Sequence, residues 1–168
     1  WSSDVCSSDL GESWATYHTS IGATKYMDLN GTAGASTSIT RWNNTSPTSS
    51  VFSLYNDTAT NGNASTYIAY CWTPIAGYSS IGSFTGNATS DGPFVYTGFK
   101  PRFVMIKSTV ETSNWFIYDT ARDPYNAMFS IIYPSLTNAE GYDSTYAIDC
   151  LSNGFKIRQT GQYGGYNN

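Results

Sequence analysis

Tyr67-Ile68-Ala69-Tyr70-Cys71-Trp72 is the stretch on which the fold turns. Aromatic and β-branched side chains suit a pleated, half-buried surface, and no apolar repeat of helical spacing runs through them, so these residues read as a strand. Outward from it the same kind of run recurs between turn clusters, at residues 50–54, 94–99, 102–107, 115–119, 146–151 and 154–158, with weaker runs at 14–18, 26–29 and 81–84. Asn61-Gly62, Asp91-Gly92-Pro93 and Asn153-Gly154 supply residues that accept positive φ, so the chain can reverse between runs. Pro101 lacks an amide donor and reads as a corner between two strands. One short helix is expected over residues 123–132, where Asp123-Pro124 offers an N-cap and a first-turn proline. Composition agrees: Tyr, Trp and Phe reach 16% while charged residues are only 12%, the balance of a strand-and-turn chain. The expected fold is all-β, an antiparallel β-sandwich of jelly-roll or lectin-like type built from two related halves.

At 168 residues the chain is long enough to bury a real apolar core. The net charge is −4 and Lys and Arg are scattered singly, so the basic footprint that phosphates require is missing and no nucleic-acid partner is expected. The longest apolar runs, such as Phe103-Val104-Met105-Ile106, fall far short of the roughly 20 residues that cross a bilayer, so no membrane insertion is expected. In the first ten residues Ser2-Ser3-Asp4 recurs as Ser7-Ser8-Asp9 without apolar period, resembling a translated sequencing adapter. Residues 1–11 are therefore expected to be an artefact, disordered and outside the fold, and residues 12–168 a single domain. Cys71 and Cys150 lie in strand-like runs and read as small apolar side chains rather than as a disulfide.

A weak internal repeat runs through the domain. Trp14-Ala15-Thr16-Tyr17-His18 aligns with Trp115-Phe116-Ile117-Tyr118-Asp119, and residues 26–30 find an echo in Ser135-Leu136-Thr137-Asn138. The halves run over residues 12–92 and 93–168, and the second is expected to lack its last strand, so that the chain reads as C-terminally truncated. An unpaired sheet edge of that kind invites another chain, and a homo-oligomer is the corresponding expectation.

Taken in order, the segments WATYHTSIGATKYMDLN, RWNNTSPTSSVFSL, YIAYCW, GYSSIGSFTGN, DGPFVYTGFKPRFVMIK, WFIYDTARDPYN and LSNGFKIR resemble a domain of unknown function that recurs in tail-fibre-like and other virion-associated proteins of marine bacteriophages. The resemblance covers most of residues 12–158. It implies a module of the virion, assembled in the host cytoplasm, with neighbouring virion subunits or a host surface glycan as partners. It carries over no catalytic or ligand residue.

Reactive chemistry is sparse. His18 is the one histidine, no GxSxG elbow accompanies it, and it reads as a polar turn residue rather than a catalytic base. Metal-ligand spacings are missing, and Asn56-Asp57 and Asp91-Gly92 read as turns rather than cation loops. Glycoside hydrolysis needs two converging carboxylates, for which Asp119 and Asp149 are the most interesting, although Asp119 followed by Arg122 reads more simply as a local ion pair. No catalytic residue, metal or cofactor is assigned, and the chain is expected not to be an enzyme. Sugar binding is the stronger competitor, because exposed aromatic rings stack on sugar faces while Asn, Asp and Ser bind hydroxyls. The candidates are Trp42, Trp72, Tyr78, Trp115, Tyr125 and Tyr163, set against the ordinary use of aromatics as core. Trp115 and Phe103 are expected inside. Trp42, Tyr78 and Tyr163, in polar loop context, are the speculative ligand-binding residues. The expected function is a phage virion surface or tail-fibre module, structural or adhesive, with a carbohydrate-binding module as the alternative and a glycan-cleaving enzyme behind both.

Overall fold

The structure, a computed structural model, describes residues 11–159 and 165–168 in full and residues 3–8 as backbone. In chain order the elements are β1 (Ser3–Ser8), β2 (Ala15–His18), β3 (Lys25–Asp28), β4 (Ser36–Thr37), α1 (Thr58–Asn61), β5 (Tyr67–Trp72), β6 (Phe94–Tyr96), β7 (Phe103–Ile106), β8 (Phe116–Asp119), β9 (Ser130–Ile131), β10 (Gly141–Tyr142), β11 (Ile148–Leu151) and β12 (Gly154–Ile157). The protein is all-β, with antiparallel ladders and almost no helix. One sheet has the order β4-β3-β2-β1-β5, another β11-β12-β6, and the pairs β7-β8 and β9-β10 complete the set.

The run at residues 67–72 forms β5 over the same residues, and six other expected runs shorten by a residue or more at their ends. Residues 50–54 form no strand. There the Thr48 amide donates to the Val51 carbonyl (2.8 Å) and the Val51 amide returns to Thr48 Oγ1 (3.1 Å), so a local turn takes the groups a ladder would need. Residues 81–84 also form no strand. The helix expected over residues 123–132 is absent as well. The Asp123 carboxylate accepts from the amides of Phe129 (2.7 Å) and Ser130 (3.0 Å), holding the segment as a loop that leads into β9. The short helix lies instead at α1, where Asp57 Oδ1 accepts the Ala59 amide at 3.0 Å. Residues 3–8, expected to be disordered, form β1 between β2 and β5. Ladder pairing uses main-chain groups that every residue carries, so a Ser-rich segment without apolar period can still occupy a sheet.

Two units in the chain match pair by pair. Ser3↔His18 and Cys6↔Ala15 in the first correspond to Phe103↔Asp119 and Ile106↔Phe116 in the second. Thr16↔Met27 corresponds to the bridge Ile117↔Ile132, and Lys25↔Thr37 with Tyr26↔Ser36 to Ser130↔Tyr142 with Ile131↔Gly141. Thus β1–β4 and β7–β10 trace the same course. The turn that leaves the second strand repeats too. The His18 carbonyl accepts from Ile21 (3.1 Å) and Gly22 (3.2 Å) while its Nδ1 accepts the Ser20 amide (3.1 Å). The Asp119 carbonyl accepts from Arg122 (3.1 Å) and Asp123 (3.0 Å) while its Oδ1 accepts the Ala121 amide (2.7 Å).

The units differ in what fills them. The first has a small core of Ala15, Tyr17, Ala23 and Trp42. Beside it Arg41 reaches Asp28 at 3.1 Å and Asp57 at 3.5 Å and lies 3.5 Å over the Tyr26 ring. The second shares a larger core with the β11-β12-β6 sheet: Val104, Ile106, Phe116, Tyr118 and Ile131 meet Ile148, Cys150, Phe155 and Ile157. At the junction Ala35 N donates to Thr109 O (2.8 Å), Ser113 N to Thr32 O (2.8 Å) and Lys107 Nζ to Thr32 O (3.2 Å). A Cβ on Gly34 would stand 2.7 Å from the Val110 carbonyl, so the backbone approach there requires glycine.

Candidate functional site: an aromatic groove at the junction

β5 is a strand with large rings at alternate positions, and alternation sends Tyr70 and Trp72 to the same face of the sheet. Tyr70 is 51% and Trp72 44% exposed, and their rings lie 6.2 Å apart with planes 26° from parallel. Trp14, immediately before β2, continues the row: its ring is 6.3 Å from Tyr70 and 22° from parallel. Its position is fixed through its main chain, since the Trp14 amide donates to Asn30 Oδ1 (2.9 Å) and its carbonyl accepts the Leu29 amide (2.9 Å). Leu29, Asn30 and, from the second unit, Pro134 complete a groove of about 310 Å³. The lining is mostly apolar, with the Asn30 side-chain amide as its polar group. The groove is open to solvent rather than enclosed.

The residues singled out from sequence fall elsewhere. Trp42 is 2% exposed, meets Tyr17 edge-on at 6.0 Å and donates from Nε1 to the Lys25 carbonyl (3.0 Å), so it is core and presents no face to a ligand. Tyr78 is 78% exposed at the tip of the turn closed by Ile75↔Ser79 and does not line this groove. Tyr163 lies outside the described residues. Trp115 is inside as expected, donating from Nε1 to the Asp28 carbonyl at 2.9 Å, whereas Phe103, expected inside, is 57% exposed because β7 alternates and turns Val104 and Ile106 inward instead. Tyr125 is 81% exposed. Trp72 is the one wider candidate that reaches the groove. Trp14 and Tyr70 were missed, although alternation along residues 67–72 pairs Tyr70 with Trp72 on one face.

Shifted titrations lie away from the groove, and most follow burial. The Tyr118 and Tyr166 hydroxyls share a hydrogen bond of 2.6 Å, and burial pushes both up. Burial likewise raises Tyr133 to about 12 and the Cys150 thiol to about 11. It draws Lys107 down to about 8, although its ammonium reaches the carbonyls of Thr32 and Ser108 (2.9 Å). His18 is lowered by desolvation, with Nδ1 committed to the Ser20 amide and hydroxyl. Asp119 caps its own turn beside Arg122 (3.8 Å), and Asp149 is held by Arg158 Nε (2.6 Å), so each carboxylate has a separate partner. Among the described residues no group of three or more His, Cys, Asp or Glu side chains comes together as a metal site, and no helix is long and apolar enough to cross a membrane.

Ladder, core and groove together define an all-β domain with an exposed aromatic row between two matching units. The chain belongs to the DUF7483 family, a domain of unknown function, whose model matches residues 5–167. No curated protein and no solved structure matches it.

Proposed function

We propose that the domain is an adhesive surface module that holds a carbohydrate chain by stacking it in the groove of Trp14, Tyr70 and Trp72, with the Asn30 amide meeting a hydroxyl. The observation that carries this reading is the row of three near-parallel rings, two of them about half exposed. Large exposed rings in a row are a poor choice for a surface that only faces water, since each leaves apolar area hydrated. In the setting that the sequence resemblance implies, the module belongs to a bacteriophage virion or tail fibre and its ligand is a host glycan. Contacts of this kind are weak singly and hold through many copies.

The finer architecture we propose is a sandwich of jelly-roll or lectin-like kind. Its support is the shared core, in which inward residues of β7, β8 and β9 meet those of β11 and β12.

A glycan array followed by calorimetry on the best hit tests the function. Tyr70→Ala should weaken binding about tenfold, in line with the roughly 0.5–1.5 kcal/mol of an aromatic contact plus its buried area. Tyr78→Ala should leave affinity unchanged. No binding by the folded wild-type domain to any glycan sinks the reading.

A further inference from the structure

Among the described residues no charged side chain lines the groove. All eight Lys and Arg side chains of the sequence fall within those residues, and five are committed elsewhere. Arg41 holds Asp28 and Asp57, Arg122 holds Asp119 and Glu140, Arg158 holds Asp149, and Lys156 meets Asp91 at 2.8 Å. Lys107 is turned to the carbonyls of Thr32 and Ser108. Of the other three, Lys25 opens β3 whereas Leu29 and Asn30 follow its far end. Lys100 and Arg102 stand just before β7, which contributes no groove residue. The one side-chain amide of the groove is set in a single orientation. The Trp14 amide donates to Asn30 Oδ1 at 2.9 Å, so the side-chain carbonyl is occupied and the Nδ2 donor has no partner among the described residues.

We infer that the groove takes an uncharged sugar chain and turns away acidic ones, and that Asn30 Nδ2 is the donor that selects it. This rests on the carbohydrate reading above and narrows it to one class of glycan. Three physical effects act in the same direction. A carboxylate or sulfate on a sugar gives up water as it nears the apolar lining, and that loss is large unless a cation or several donors replace the water. One amide donor does not replace it. The faces of aromatic rings carry the negative side of their quadrupole, so an anion laid over Trp14, Tyr70 or Trp72 is repelled where the C–H face of a sugar is attracted. The chain as a whole bears a net charge of −4, which slows the arrival of anions. A hydroxyl meets none of these costs. Its oxygen accepts from Nδ2 while its own hydrogen turns to water at the open mouth of the groove.

A glycan array of matched pairs, each neutral oligosaccharide beside the same core carrying a carboxylate or a sulfate, tests the selection on the whole chain. The neutral member of each bound pair should bind at least about tenfold more tightly. Its affinity should also hold through about a tenfold rise in salt, because no ion pair contributes. Asn30→Asp keeps an oxygen for the Trp14 amide but replaces the donor with an acceptor. It should weaken the neutral hits about tenfold while leaving the fold, read by tryptophan fluorescence, unchanged. Tighter binding of the acidic members, affinity that falls steeply with salt, or full affinity in Asn30→Asp overturns the inference and leaves the sugar reading standing. A blank array removes the sugar reading itself, and the inference with it.

Discussion

The two matching units reach the same ladder by different physics. In the first, a small core is supplemented by Arg41, which ties Asp28 to Asp57 across the Tyr26 ring. In the second, Phe116 is 1% exposed and meets Tyr133, Tyr146 and Tyr166 at 5.5, 4.8 and 4.9 Å, and apolar side chains from two sheets share the space. The lesson is that a strand course is set by main-chain pairing and turn acceptors, and that a charged node or a hydrocarbon core can fill it. His18 and Asp119 make the same point on a smaller scale, since an imidazole nitrogen and a carboxylate oxygen cap the same turn.

The difference can be broken from either side. Phe116→Ala should produce the largest loss, about 3–5 kcal/mol of unfolding free energy, and the loss should not change between low and high salt in urea titrations. Arg41→Ala should lose less, roughly 1–2 kcal/mol for partly screened ion pairs, and the loss should shrink as salt rises. Equal losses, or an Arg41 effect indifferent to salt, would erase the contrast between the units.

Alkaline pH sharpens it further, because the groups that titrate there with raised values belong to the second unit and to the sheet that shares its core. Cys150 has its folded value raised to about 11 from 9.0, so the unfolded chain loses this proton first and stability falls as pH rises through that window. Tyr133, raised from 10.0 to about 12, acts in the same direction at higher pH. Lys107 acts in the opposite one. Its folded value is lowered from 10.5 to about 8, so the unfolded chain holds the extra proton and stability rises with pH between those values. The urea midpoint should therefore rise slightly or stay level from pH 8 to about 9 and fall steadily beyond about 10.5. Lys107→Met should remove the early rise and leave the late fall.

The smallest effect is expected at the capped turn. His18 is held below its ordinary value, so the unfolded chain binds the proton first and stability declines as pH drops through 6.5. His18→Asp copies the acceptor of the second unit. It should change stability at pH 7 by no more than about 0.5 kcal/mol and abolish the decline near pH 6, read as the difference in thermal midpoint between pH 7.5 and 5.5.

Much of the fold was legible because strand alternation is local. Residues 67–72 announce β5 by composition alone, and the Gly- and Asn-rich turns mark where neighbouring strands stop. Residues 50–54 were misread because Thr48, a side chain outside the run, takes over its main-chain bonding, and residues 123–132 because the Asp123 carboxylate reaches across the loop to Phe129 and Ser130 rather than capping a helix. The groove was less legible. Trp42 and Trp14 look alike in sequence, each near polar residues. Burial separates them: Trp42 finds a carbonyl for its indole beneath the first sheet, while Trp14 lies beside a strand more than fifty residues away in sequence. Such pairings depend on which strands become neighbours, and no local pattern states that.

The bonds from residues 107–115 to residues 28–35 bear on how the protein is made. During synthesis the first unit leaves the ribosome before any of the segment that braces its β3–β4 connection, and domains tend to acquire structure in the order of their emergence. Until Lys107 and Ser113 arrive, the Thr32 carbonyl must be served by water, and the Asp28 carbonyl keeps only the Gly31 amide. Pulsed hydrogen exchange on stalled nascent chains should accordingly find Ala35, whose donor bond ends on Thr109, unprotected until the later segment has been translated, a delay built in by the distance along the chain between a strand pair and its clamp.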